Sequence, residues 1–110
     1  MKIADVRRLA LALPEATEAP HFERTSFRVG DKIFATVDPD GSGMNIFVDD
    51  EEREIITKVD PQAYETRMWG KSGYLHVHLA KAKPRDVEAL LHSAWRRKAP
   101  KKLVARSGRD

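Results

Sequence analysis

The chain has 110 residues, no cysteine and a formal net charge of +3. This length suits one domain and excludes a two-domain enzyme. The lack of cysteine excludes a disulfide framework, a thiolate nucleophile and a Cys-based metal site. No segment approaches the ~20 apolar residues of a membrane span, and charged residues interrupt the N-terminus where a secretory signal would be apolar. We therefore expect a cytoplasmic monomer that does not contact membranes.

Positive charge is concentrated at the carboxyl end of the sequence. Residues 1–80 carry a net charge of −4, whereas residues 81–110 carry +7. Basic residues at a helix C-terminus are stabilised by the helix dipole alone, but such a cluster on an acidic body can also attract phosphate polyanions. Its members are Arg96, Arg97, Lys98, Lys101, Lys102, Arg106 and Arg109.

The first half of the sequence predicts a helix and three antiparallel strands. Apolar residues at helical spacing predict a helix over 3–13, and Pro14 ends it. The polar segment 14–24 is predicted to be a connection. Gly30 and Asp31 indicate a two-residue turn, of type II′ because glycine comes first. Alternation of apolar and polar residues predicts strands at 25–29, 32–37 and 44–48.

The second half predicts a helix over 49–59, a short strand ending near Trp69, a strand over 74–79 and a last helix that starts at Pro84. The apolar side of the last helix consists of Val87, Leu90, Leu91, Ala94 and Trp95. The order α-β-β-β-α-(β)-β-α predicts a two-layer α+β domain over residues 1–98, with an antiparallel sheet covered by helices. Residues 99–110 are predicted to form a basic tail, from which Leu103 and Val104 dock back onto the domain.

Three segments together resemble the MmcQ/YjbR family of small bacterial domains, and they occur in that family's order. They are Val6-Arg7-Arg8-Leu9-Ala10-Leu11-Ala12-Leu13-Pro14-Glu15, then Phe27-Arg28-Val29-Gly30-Asp31-Lys32-Ile33-Phe34-Ala35, and Ala94-Trp95-Arg96-Arg97-Lys98-Ala99-Pro100-Lys101-Lys102-Leu103. The resemblance implies a fold of the CyaY-like or double-wing type and a DNA-binding role. It supplies no catalytic residues. One branch of the family has a His-Trp pair where this chain has Met68-Trp69-Gly70-Lys71, so no role of that histidine is carried over.

Two features could hold a metal ion. His76 and His78 are two residues apart on a strand, so both point to one face and could share a metal, with His21 as a third ligand. We favour the interpretation that they form the solvent face of a strand whose buried face is Leu75, Val77 and Leu79. The acidic run 49–54 is interpreted as an N-cap aspartate with carboxylates in the first helical turn. We therefore assign no metal and no cofactor.

No catalytic motif is recognisable, so we expect a non-enzymatic binding module. The first hypothesis is a DNA-binding protein whose basic carboxyl end contacts phosphates. Its proposed contact residues are Arg96, Arg97, Lys98, Lys101 and Lys102, with Lys71 and Arg67 extending the surface. Trp69 is expected to cap the edge of the core, with stacking on a base as the alternative. The second hypothesis is a module similar to secretion chaperones that binds another protein.

Overall fold

A computed structural model of the chain describes residues 1–107. These residues form four helices and six strands. In chain order they are α1 (Ile3–Leu11), β1 (Thr17–His21), β2 (Arg24–Val29), β3 (Lys32–Val37), β4 (Gly43–Ile46), α2 (Asp50–Val59), β5 (Tyr64–Trp69), β6 (Ser72–His78), α3 (Pro84–Lys98) and α4 (Lys101–Arg106).

The strands form one antiparallel sheet in the order β1-β2-β3-β4-β6-β5. The predicted α+β class with an antiparallel sheet is confirmed. Strand β1 lies within the segment that was predicted to be a connection. Its Pro20 has no backbone N–H to donate, and an edge strand is the place in a sheet that tolerates this loss.

Helices cover the apolar face of the sheet. Helix α3 packs on β3 and β4, α2 packs on β5 and β6, and α1 packs on α3. The five apolar residues predicted for α3 are all buried, which confirms that face. Trp95 is fully buried, and its indole Nε1 donates a hydrogen bond of 3.0 Å to the carbonyl oxygen of Pro14. This contact ties the end of α1 to α3.

The opposite face of the sheet carries a row of polar residues at its centre. The strand register places one polar residue of each central strand beside the next. These four side chains are buried, and they are Ser26, Thr36, Asn45 and His76. Asn45 donates to Thr36 and lies within hydrogen-bond distance of His76, whereas Ser26 donates to the carbonyl oxygen of Ala19, so each of these buried groups has a partner on a neighbouring strand.

A β-bulge in β3 changes the direction of Lys32. Phe27 pairs with Ala35 and Arg28 with Ile33, so Phe34 is an extra residue in β3. The shift pairs Lys32 with Val29, and Lys32 therefore turns toward the helices. The turn before it has φ of +56° at Gly30 and +65° at Asp31, so it is of type I′ and the predicted type II′ was wrong.

The segment predicted to be a basic tail begins with a helix. Pro100 separates α3 from α4, and α4 docks through Leu103, which is only 6% exposed, with half-buried Val104 beside it. This agrees with the docking expected for these two residues. Arg109, the last member of the basic cluster, lies outside the described residues.

Candidate functional site

An open cleft lies between the β2–β3 turn and the junction of α3 with α4. It has a volume of about 1000 Å³, and Gly30 and Pro100 are among the residues that line it. A Cβ on Gly30 would lie 3.2 Å from Pro100 Cδ, so the turn and the helix junction approach closely there. Five basic residues line the cleft, namely Lys32, Arg96, Arg97, Lys98 and Lys101.

The five cations of this basic cleft have no acidic partner within 4.0 Å among residues 1–107. Burial lowers the pKa of Lys98, and the positive charges of Arg97 and Lys32 lower it further. Arg97 is held in place because its Nη1 donates a 2.6 Å hydrogen bond to the carbonyl oxygen of Phe47. The cleft thus concentrates positive charge that a bound anion would neutralise.

An acidic border limits the cleft on the side of α2. Asp49 caps α2 by accepting a 2.8 Å hydrogen bond from the backbone N–H of Glu52, which confirms the predicted N-cap. Burial raises the pKa of Glu52, although the hydroxyl of Ser93 donates to it at 3.0 Å and Arg97 opposes the shift. The side of the cleft formed by Lys32, Lys98 and Lys101 is therefore the more favourable for phosphate.

The predicted contact residues divide into two groups. Arg96, Arg97, Lys98 and Lys101 line the cleft, and Lys102 is an exposed neighbour of it. Lys71 is exposed in the β5–β6 turn, and Arg67 on β5 donates to Glu65 at 3.0 Å. Because β4 and β6 separate β5 from β3, about 14 Å of sheet lies between Arg67 and Lys32. Neither Arg67 nor Lys71 lines the cleft.

The positions of Trp69 and Lys32 differ from those that the sequence pattern predicts. Trp69 is 81% exposed at the end of β5, so the expectation that it caps the core was wrong. Lys32 is the cleft residue that the sequence analysis missed. Plain alternation along β3 places its side chain on the other face of the sheet, and only the bulge brings it to the cleft.

His76 and His78 point to one face, as predicted, but they do not both face solvent. His76 is 3% exposed, and its Nδ1 lies 2.8 Å from Oδ1 of Asn45. Burial lowers the pKa of His76. His78 Nε2 lies 3.0 Å from Oε1 of Glu65, and the hydrogen bond from Arg67 lowers the pKa of that carboxyl. His21 lies on β1, four strands from β6, so it is not the third member of this group.

Comparisons with known proteins agree with this architecture. A family model described as YjbR matches residues 11–97. The chain is similar to the crystal structure of protein DR2400 from Deinococcus radiodurans, which carries a domain of the DUF419 family model. The two share 21% identity and a TM-score of 0.78, with 99% of this chain and 89% of that chain covered, a likeness that concerns the fold. No curated protein matches the chain. Within residues 1–107, no helix has the length and apolarity to cross a membrane.

Proposed function

Because the chain belongs to the YjbR family, for which the sequence resemblance implied a DNA-binding role, we propose that it binds nucleic acid through phosphates held in the basic cleft. The observation that carries the proposal is the concentration, around one open depression, of five cations that have no acidic partner among residues 1–107. Basic residues elsewhere are often neutralised, as Arg7 is by Glu18 and Arg106 by Glu15.

The shape of the cleft favours backbone contacts over base contacts. It is open and lies at a helix junction, and Lys32, Lys98 and Lys101 reach it from three different elements, β3, α3 and α4. Side chains that converge from a strand and two helices can follow a bent phosphate backbone, and the sequence contains no helix-turn-helix or zinc-finger pattern that would place a helix in a groove. Binding is therefore electrostatic and tolerant of sequence.

The first test is a salt titration of binding to a labelled duplex, followed by fluorescence anisotropy. Each phosphate neutralised contributes about 0.9 to the slope of log K against log salt. If the cleft neutralises three or four phosphates, affinity falls roughly 40- to 150-fold between about 50 and 200 mM salt. An affinity that does not change over this range would contradict the phosphate mechanism.

The second test places the binding in the cleft. The triple variant Lys32→Gln, Lys98→Gln, Lys101→Gln removes three cleft charges, and we expect its salt slope to be smaller by about 2 to 3. The matched control is Lys81→Gln, Lys83→Gln, Arg85→Gln. It removes the same charge from exposed residues at the opposite end of α3, about 20 Å away.

The comparison of these two triple variants separates a site from general attraction. The proposal requires a large loss for the cleft variant and a small loss for the control. Equal losses would mean that net charge alone attracts the duplex, and the cleft would then have no special role.

One observation supports the alternative of a protein-interaction module. Helix α2 contacts β5, and these neighbouring elements expose four large apolar side chains. They are Ile55, Val59, Met68 and Trp69. The β5–β6 register places Met68 on the face that α2 covers and Trp69 on the opposite face, which leaves Ile55, Val59 and Met68 for such a surface. Failure of the chain to bind duplex or single-stranded DNA at low salt would favour it, and replacement of Ile55 and Val59 by serine would then test it.

A further inference from the structure

We propose that Glu65, His76 and His78 form a binding site for one zinc ion on the polar face of the sheet. The site is separate from the basic cleft and goes beyond the proposed nucleic-acid function. It lies on β5 and β6, whereas the cleft lies at β3 and the far end of α3.

The ligand atoms of the three side chains already converge. One nitrogen of each histidine and one carboxylate oxygen all lie within 4.8 Å of one another. Around a tetrahedral Zn²⁺, ligand atoms at about 2.0–2.1 Å from the metal are about 3.4 Å apart. His78 Nε2 and Glu65 Oε1 are 3.0 Å apart, and both side chains are 44% exposed. Small rotations of these two side chains are sufficient to close the site around an ion.

Hydrogen bonds from the sheet set the tautomer of His76. The amide nitrogen of Asn45 donates to Thr36 Oγ1 at 3.2 Å, so the amide oxygen is the atom that faces His76. His76 Nδ1 therefore donates to Asn45 Oδ1 at 2.8 Å, and the lone pair resides on Nε2. No hydrogen bond to Nε2 is present within the described part of the chain. A histidine held by its other nitrogen against a carbonyl oxygen is the arrangement found at metal sites.

Gly43 gives His76 its place on the sheet. A Cβ at residue 43 would lie 2.8 Å from Cε1 and 2.9 Å from Nε2 of His76, so only glycine leaves room for the ring. The same Cβ would lie 2.9 Å from Oδ2 of Asp38, whose carboxylate pairs with Arg24. Arg67 donates to Glu65 at 3.0 Å and orients that carboxylate. The three ligands thus have supporting neighbours on β4 and β5 and at Asp38, directly after β3.

The ligand set selects the class of metal. Two imidazoles and one carboxylate suit Zn²⁺ and related borderline divalent ions, whereas Ca²⁺ and Mg²⁺ prefer sites made of oxygen ligands. Three protein ligands leave the fourth tetrahedral position for a water molecule or a ligand atom from outside. The rings of His76 and His78 stand at 82° with centroids 5.0 Å apart, which lets both aim a nitrogen at one point.

Isothermal titration calorimetry of the full chain with ZnCl₂, after treatment with a chelator, tests the site. We expect one Zn²⁺ per chain. The variants His78→Gln and Glu65→Gln change half-exposed side chains and should bind at least about tenfold more weakly. Titration with Co²⁺ gives a second readout, because tetrahedral coordination produces an intense visible spectrum that the two variants should lose.

The two remaining histidines provide matched controls. His21→Gln and His92→Gln remove an imidazole from β1 and from α3, and both should bind Zn²⁺ like the unmodified chain. Circular dichroism confirms that each variant is folded. The proposal is overturned if the unmodified chain takes up no Zn²⁺ at up to millimolar concentration. It is also overturned if His78→Gln and Glu65→Gln bind as tightly as the controls.

Discussion

The buried hydroxyl group of Tyr64 lowers the stability of the folded protein. Tyr64 is 1% exposed, and its hydroxyl is buried without a hydrogen-bond partner in residues 1–107. Burial raises the pKa of this group, and the nearby carboxylates of Asp86 and Asp60 raise it further. A buried hydroxyl that makes no hydrogen bond costs about 1–3 kcal/mol of stability. The ring itself fills the core where β5 meets the helices.

We therefore predict that Tyr64→Phe stabilises the protein by about 1 kcal/mol, because it removes the hydroxyl and keeps the ring. Urea unfolding at pH 7 measures the change in the free energy of unfolding. Tyr74→Phe serves as the control, since Tyr74 is only half-buried against Phe47 and should change stability little. A loss of stability in Tyr64→Phe would show that a water molecule satisfies the hydroxyl.

The burial of His76 and the direction of Lys32 could not be predicted from the sequence, although the face of His76 could. Alternation along β6 correctly placed His76 and His78 on the face opposite Leu75 and Val77. It could not show that His76 is buried, because this depends on Asn45 and Gly43 of a strand 31 to 33 residues earlier. Lys32 is a similar case, since a bulge arises from the pairing of two strands and has no signature in β3 alone.

The helices and strands that were predicted correctly are those whose own residues carry a clear pattern, such as a starting proline or a regular apolar face. Helix α3 has a proline at its start and a regular apolar face, and it runs from Pro84 to Lys98 as expected. Strand β1 has the residues Thr17–His21, without apolar alternation, and is a strand because β2 supplies its hydrogen bonds. Helix α4 is only six residues long and depends on the docking of Leu103.

The edge strand β1 is held to α1 by an ion pair. Arg7 donates to Glu18 through Nε at 2.7 Å and through Nη2 at 2.9 Å, so the contact is bidentate. The hydrogen bond from Arg7 lowers the pKa of Glu18 below its ordinary value of 4.5. A carboxylate with a lowered pKa in the folded state stabilises the fold above its unfolded-state pKa, and the stabilisation is lost as the pH falls through the lowered value.

We predict that Glu18→Gln destabilises the protein at pH 7, and that the difference from the unmodified chain shrinks as the pH falls from 7 through the lowered pKa of Glu18, because the carboxyl is then protonated in both states. Thermal unfolding of both proteins across this pH range measures the difference. Glu23→Gln is the control, because Glu23 is exposed and has no ion-pair partner in the described chain. A difference between wild type and Glu18→Gln that stays constant with pH would contradict a role for the charge of Glu18.

At the scale of the whole molecule, the sheet separates two candidate sites with different side-chain chemistry. One side gathers cations at the junction of α3 and α4, and the other gathers two histidines and a carboxylate over β5 and β6. The sequence indicated the first because the cations are neighbours in the chain. It indicated two of the three residues of the second, His76 and His78, because Glu65 reaches His76 only through the β5–β6 register.

We predict that the two sites act independently. They share no residue and lie on opposite faces of the sheet, and charges more than a Debye length of about 8 Å apart are largely screened at physiological salt. Saturation with Zn²⁺ should therefore change the affinity for duplex DNA by less than about twofold, and the triple cleft variant should keep the Zn²⁺ affinity of the unmodified chain. Anisotropy and calorimetry on the same preparations measure both quantities. A tenfold effect of Zn²⁺ on DNA binding would show that the polar face of the sheet takes part in the contact, and the interface would then have to be extended from the cleft to β5 and β6.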